Sequence, residues 1–309
     1  MRILVTGGTG FIGSHLCRAL VNNNEEVLCL DNLFTGSKSN ISDLMGLDNF
    51  HFIYGDVLEK KTIEVDQVYH LACPASPIHY QRNPVQTTRT GVLGTLNVLE
   101  MCREVKARFL ITSTSEIYGD PELHPQKEEY WGNVNPIGIR SCYDESKRCA
   151  ESLAMSFNRQ YGVDVKIPRL FNTYGPALHF DDGRVVSNFI LQALRGDEIT
   201  IYGTGNQTRS FCYVSDIVEA LIKLMNCDCE CMPINIGNPD EFTINQLAGL
   251  VKNLINENLN VKHLALPEDD PVRRKPDINR AKEILNWEPK ICLKDGLILT
   301  IANFINRLK

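Results

Sequence analysis

The run Thr6-Gly7-Gly8-Thr9-Gly10-Phe11-Ile12-Gly13 constrains this chain more than any other stretch. It follows a β-branched segment directly and opens a helical pattern, so it must make a tight strand-to-helix turn. Gly7 permits the turn, Gly10 lets backbone N–H groups approach a pyrophosphate, and Gly13 allows close helix–strand packing. The second β-rich run, Val27-Leu28-Cys29-Leu30, ends in Asp31. A carboxylate there suits ribose hydroxyls and repels a 2′-phosphate, so turn and acid together predict a unit that binds NAD rather than NADP.

The rest of the first half supports that reading. Strand candidates at residues 3–6, 27–30, 52–54, 68–72, 109–112 and 165–170 alternate with apolar residues at helical spacing, such as Val92, Leu96 and Leu99, or Cys149, Leu153 and Phe157. This alternation predicts α/β architecture: a Rossmann-type doubly wound parallel sheet with helices on both faces. Asp56, after Gly55, ends the third strand where it could meet an adenine edge, and Leu71-Ala72 end the fourth beside the dinucleotide crevice. After Gly175-Pro176 the pattern loosens. Helices are expected at 185–194 and at 216–225 with Ser215 as N-cap, and Thr243-Ile244-Asn245-Gln246 has the form of a capping box. Short strands are expected at 200–202 and 234–236. The division this implies is a cofactor domain over residues 1–175 and a smaller α/β substrate lobe over 176–309, with parts of 207–240 packing back on the first.

Composition excludes several functions. A formal net charge of −6 argues against a nucleic-acid binder. No uninterrupted apolar run approaches the roughly 18 residues a membrane span needs, and the opening residues read as a strand rather than a signal peptide. A soluble cytoplasmic protein is the expectation. Most of the eleven cysteines sit in apolar runs and read as buried thiols. Cys227-x-Cys229-x-Cys231 has no second ligand pair nearby, so it reads as a surface turn, and no metal is expected.

Chemistry enters with Tyr143-Asp144-Glu145-Ser146-Lys147, which begins a helical pattern running to about Tyr161. Positions i and i+4 share a helix face, so phenol and ammonium can address one substrate oxygen. A neighbouring ammonium and a positive nicotinamide both favour the phenolate, which turns a weak base into a usable proton acceptor. Ser113-Thr114-Ser115 ends the preceding strand, and a hydroxyl from it could bond the same oxygen.

With these features the chain resembles the extended short-chain dehydrogenase/reductase family over its whole length. Within it, the nucleotide-sugar enzymes that decarboxylate UDP-glucuronate are matched by four stretches. They are Cys73-Pro74-Ala75-Ser76-Pro77-Ile78-His79-Tyr80, Thr112–Pro121, Tyr130–Gly138 and Asp182-Gly183-Arg184-Val185-Val186-Ser187-Asn188-Phe189. The resemblance implies a triad of Thr114, Tyr143 and Lys147, with Ser115 and Glu116 facing the sugar. It places Asn172, Asn188, Arg209 and Arg274 on the UDP moiety or sugar acid, and Tyr80 and Arg89 beside the sugar. The cofactor surface extends to Phe11, Ile12, Asn32, Val57 and Thr90. A homodimer joined through helices near 92–103 and 144–160 is also implied.

The implied chemistry is oxidation at C4, which makes the sugar acid a β-keto acid, then loss of CO2, protonation at C5 and return of the hydride. Glu116 and Arg209 are the candidates for the carboxylate end. Glu116 could position water, could itself be protonated, or could repel the substrate carboxylate. The chain departs from the family pattern at Gly91, where an Asn is common, at Pro168, which suggests an edge, a bulge or an unpaired N–H position, and at Ala177, where an Arg is expected. Rival readings are a nucleotide-sugar 4,6-dehydratase, a 4-epimerase and a non-catalytic NAD-binding sensor. An Asp at position 115 would favour the dehydratase.

Overall fold

The structure, a computed structural model, describes residues 1–266 and 273–308. Its main sheet contains β1 (Arg2–Thr6), β2 (Glu26–Asp31), β3 (Phe50–Tyr54), β4 (Gln67–His70), β5 (Arg108–Ile111), β6 (Ser113–Thr114), β7 (Val165–Leu170) and a last strand, Pro233–Ile236. The spatial order is Pro233–Ile236, β7, β5, β4, β1, β2, β3, with β6 continuing beside β7. Every pairing in this sheet is parallel. The chain reverses direction across the sheet after β3, so the crevice at the carboxyl ends of β1 and β4 is where such a fold holds a ligand.

The helices are α1 (Phe11–Asn22), α2 (Pro77–Arg82), α3 (Pro84–Arg89), α4 (Thr95–Val105), α5 (Ser141–Tyr161), α6 (Val185–Arg195), α7 (Val214–Met225), α8 (Ile244–Ile255), α9 (Asn279–Leu285) and α10 (Leu293–Leu308). The strand alternation sorts side chains onto two faces. Leu4, Leu28, Val68, Phe109, Val165 and Ile167 bury against Leu99 and Cys102 of α4 and Ala150, Ala154 and Phe157 of α5. Ile3, Val5, Val27, Cys29 and Leu110 bury against Leu16, Cys17 and Leu20 of α1 and Ile217, Leu221 and Leu224 of α7. Each fully buried aliphatic or aromatic side chain contributes about 1.5–3 kcal/mol.

Several local expectations shift for stated reasons. The fourth strand stops at His70, and the fifth at Ile111, because the chain turns there to open the crevice. α7 starts at Val214 with Tyr213 as its N-cap, two residues before the expected Ser215. The capping box is present: Thr243 accepts from Gln246 N, and Gln246 accepts from Thr243 N. Pro168 is not on an edge strand. It sits inside β7, where the ladder to the neighbouring chain breaks between Lys166 and Arg169, so its missing N–H falls in the gap. Gly91 is explained by packing. A Cβ there would lie 2.5 Å from Ser146 Oγ, so a larger residue would push the segment before α4 off α5. Ala177 holds φ = +66°, a conformation that side chains rarely adopt. Among the described residues no group of His, Cys, Asp or Glu could hold a metal, and no helix is long and apolar enough to cross a membrane.

Candidate active site

A cavity of about 800 Å³ runs from the glycine turn to Arg209 and Arg274. At one end the turn is built for close backbone approach. Gly7 has φ = +72°, and a Cβ on Gly13 would stand 2.2 Å from the Gly7 carbonyl oxygen. α1 has no side-chain cap, so the N–H groups of its first turn are left for an anion. Asp31 is fixed at the end of β2, accepting from Thr9 N at 3.0 Å and Leu33 N at 2.8 Å. Asp56 accepts from Asn32 Nδ2 at 2.9 Å. This cradle fits a pyrophosphate flanked by a ribose.

At the other end, α5 carries Tyr143 and Lys147, and β6 carries Thr114. All three are buried and line the cavity. Thr114 Oγ1 accepts from Glu116 N at 3.2 Å, and the Thr114 side chain opposes the upward push of burial on the Tyr143 phenol. Lys147 Nζ donates to Thr112 O at 2.8 Å and lies 5.9 Å from the Tyr143 ring centre. Burial pushes the Tyr143 phenol well up and the Lys147 ammonium down, so each depends on charged neighbours to reach its working form. Below Lys147, His70 bridges Thr6 Oγ1 at 2.8 Å and Thr95 Oγ1 at 3.2 Å. Burial, then the Lys147 charge, lower it to about 3, so it stays neutral.

Glu116 is held by two guanidiniums. Arg274 donates to both carboxylate oxygens, at 2.5 and 3.0 Å, and Arg140 donates at 2.9 Å. Burial would raise this carboxyl, but the two cations outweigh it and hold it at about 2. The two guanidiniums therefore favour the ionised form of Glu116. Asp144 shifts the other way: burial and then the Glu116 charge raise its carboxyl to about 8. Arg209 lines the cavity beside Arg274 on the adjacent strand, donating to Thr208 O. The groups that meet Glu116 are Arg274 and Arg140.

Nearly all the residues expected from sequence line this one cavity: Gly7, Gly10, Phe11, Ile12, Gly13, Asp31, Asn32, Asp56, Val57, Leu71, Ala72, Tyr80, Thr90, Thr114, Ser115, Glu116, Tyr143, Lys147, Asn172, Asn188, Arg209 and Arg274. Arg89 is the correction. It is exposed at the end of α3 and outside the cavity wall, because α3 turns Thr87 inward instead.

Residues 3–237 match the profile of the NAD dependent epimerase/dehydratase family. The chain belongs to that family. It is 58% identical over 309 residues to UDP-glucuronic acid decarboxylase 5 of Arabidopsis thaliana, covering 100% of this chain and 90% of the relative. It is 53% identical to UDP-glucuronic acid decarboxylase 1 of Xenopus tropicalis, covering 100% of this chain and 73% of the relative. Among solved structures it resembles UDP-glucuronic acid 4-epimerase from Bacillus cereus, in complex with UDP-glucuronic acid and NAD. That likeness has a TM-score of 0.91 and 28% identity over 100% of both chains. UDP-glucose 4-epimerase from Thermotoga maritima gives a TM-score of 0.92 and 31% identity, also over 100% of both.

As an epimerase/dehydratase family member, the chain takes NAD as its cofactor. Three arginines of the cavity wall, Arg140, Arg184 and Arg307, were not among the residues expected from the sequence. Arg140 stands one helical turn before Tyr143, a spacing that could have flagged it. Arg184, paired with Asp182, lies in the matched stretch 182–189 but was given no role there.

Proposed function

We propose that the protein converts UDP-glucuronate to UDP-xylose and CO2. The observation that carries this reading is the Glu116–Arg274–Arg140 cluster set against the Thr114–Tyr143–Lys147 constellation in one cavity. An epimerase needs only the constellation; a charge cluster beside it suits a substrate that carries and loses a carboxylate. Ser115, where a dehydratase would present an acid, supports the same choice. The full-length likeness to UDP-glucuronic acid decarboxylases agrees with it.

NAD, when bound, supplies the hydride acceptor that makes C4 a ketone. Tyr143 takes the C4 hydroxyl proton, and Lys147 favours its phenolate. Once CO2 leaves, the C4 oxygen carries the negative charge, and Thr114 and Tyr143 stabilise it by hydrogen bonding. Arg274 and Arg140 neutralise Glu116, which reduces its repulsion of the substrate carboxylate and leaves it to position the proton source for C5. Asn172, Asn188 and Arg209 hold the UDP part. Residues 1–175 serve the cofactor and 176–309 the sugar nucleotide, with α7 and the last strand returned to the main sheet. The protein works as a cytoplasmic homodimer through α4 and α5; exposed Leu93 and Cys149 beside those helices support the pairing.

The test is to incubate UDP-glucuronate with catalytic NAD⁺ and follow CO2 and product by NMR. UDP-xylose with stoichiometric CO2 is expected. Formation of the 4-epimer without CO2 would overturn the reading.

A further inference from the structure

One buried cluster behind the catalytic residues is not used by the mechanism. In the β6–β7 ladder Ser113 stands opposite Arg169. Both side chains converge on Glu151 of α5. Ser113 Oγ donates to Glu151 Oε1 at 2.5 Å, Arg169 Nε to the same oxygen at 3.0 Å, and Arg169 Nη2 to Oε2 at 2.8 Å. Arg169 Nη1 is spent on Tyr118 Oη and Glu128 O, both at 2.9 Å. Ser113 immediately precedes Thr114, and Glu151 lies four residues after Lys147, on the same helix face. The three-way contact therefore ties the strand that carries Thr114 to the helix that carries Tyr143 and Lys147.

We propose that Glu151 is a positioning residue of this site: it locks the register of α5 on β6 and places a fixed negative charge one helical turn from Lys147. The inference rests on the reading of Tyr143 and Lys147 as the redox pair. The other groups facing Lys147 do not supply that charge. Burial, opposed weakly by Lys147, pushes the Cys73 thiol up, so it is neutral. His70 is neutral as well, and the Tyr143 phenol is raised by burial. Burial lowers the Lys147 ammonium; Cys73 would oppose this only as a thiolate, and Glu151 opposes it as a carboxylate. Replacing it by an amide removes the charge and also leaves Arg169 buried without its carboxylate. Both effects push Lys147 toward the neutral amine.

The test is competitive acetylation of Lys147 across pH on the NAD-loaded protein, read by peptide mass, for the parent, Glu151→Gln and Glu151→Asp. The amide should lower the Lys147 titration by about one pH unit, and Asp should restore most of it. In parallel, the alkaline limb of kcat should move down with the amide, while KM for UDP-glucuronate holds. An unmoved titration, or a kcat loss equal at every pH, would overturn the charge role. Ser113→Ala tests the register role and keeps the protein informative if the amide does not fold: kcat should drop about tenfold with Lys147 titrating as in the parent, and an unchanged kcat would overturn it. A parent that releases no CO2, with the Lys147 titration still shifted by the amide, would sink the assigned reaction and leave this inference standing.

Discussion

The ring of Tyr80 lies parallel to the ring of Tyr143, with centroids 5.1 Å apart and planes 3° apart. Tyr80 comes from α2 and Tyr143 from α5, so the stack joins two elements across the cavity wall. Tyr80 is buried, and its hydroxyl has no hydrogen-bond partner among the described residues.

Such a stack contributes about 0.5–1.5 kcal/mol beyond simple burial, which corresponds to a two- to tenfold effect if it orients the phenol. Tyr80→Leu should therefore lower kcat by up to about tenfold and leave NAD binding unchanged. Tyr80→Phe keeps the stack and isolates the contribution of the hydroxyl. Steady-state kinetics of the two variants check this; equal losses would show that the ring contact is not what matters.

Glu116→Gln leaves Arg274 and Arg140 buried against an amide. CO2 release should fall about a hundredfold or more, as expected for loss of the carboxylate that positions the proton source for C5. NAD affinity, measured by fluorescence titration, should hold. In Arg274→Met, burial is opposed by one cation fewer, so the Glu116 carboxyl titrates higher than its present value of about 2. The acid limb of the pH–rate profile should accordingly move up.

Asp144 is the opposite case. Its carboxyl is raised to about 8 by burial and by Glu116, from an ordinary value near 3.8. A raised carboxyl stabilises the fold fully below the ordinary value and loses that contribution as pH climbs through the raised one. The parent should thus lose stability between about pH 4 and pH 8 from this group. Asp144→Asn should flatten that loss; denaturant melts at pH 5 and pH 9 compare the two. A parallel decline in both proteins would refute the assignment.

Gly13→Ala would place a Cβ 2.2 Å from the Gly7 carbonyl oxygen, a backbone atom that cannot swing aside. The turn would have to open, so NAD affinity should fall at least tenfold, with thermal stability lowered as well. Calorimetry with NAD⁺ checks the first and a melting curve the second.

How much of this was legible depends on separation along the chain. Gly7, Gly10, Gly13 and Asp31 act through one strand–turn–helix–strand unit, and Tyr143 and Lys147 through one helix face. Their spacing alone carries the geometry. Arg89 misled for the same reason: it follows a motif that does enter the cavity, but α3 turns that side chain to solvent. Pro168 left three readings open, and the unpaired N–H position is the one found, because the break between the two strands beside β7 is invisible along a single run of residues.

By itself, then, the order of residues determined the parallel α/β scaffold, the glycine turn with Asp31, and the placing of Tyr143 and Lys147 on one helix face, since these follow from local periodicity and backbone sterics. The ion cluster on Glu116 did not follow from it. Arg274 and Glu116 are 158 residues apart and meet only in the folded chain. The same holds for which carboxyl keeps its proton. Glu116 and Asp144 are both buried, but folding gives Glu116 two guanidiniums and leaves Asp144 facing the Glu116 charge, and that arrangement exists only in three dimensions.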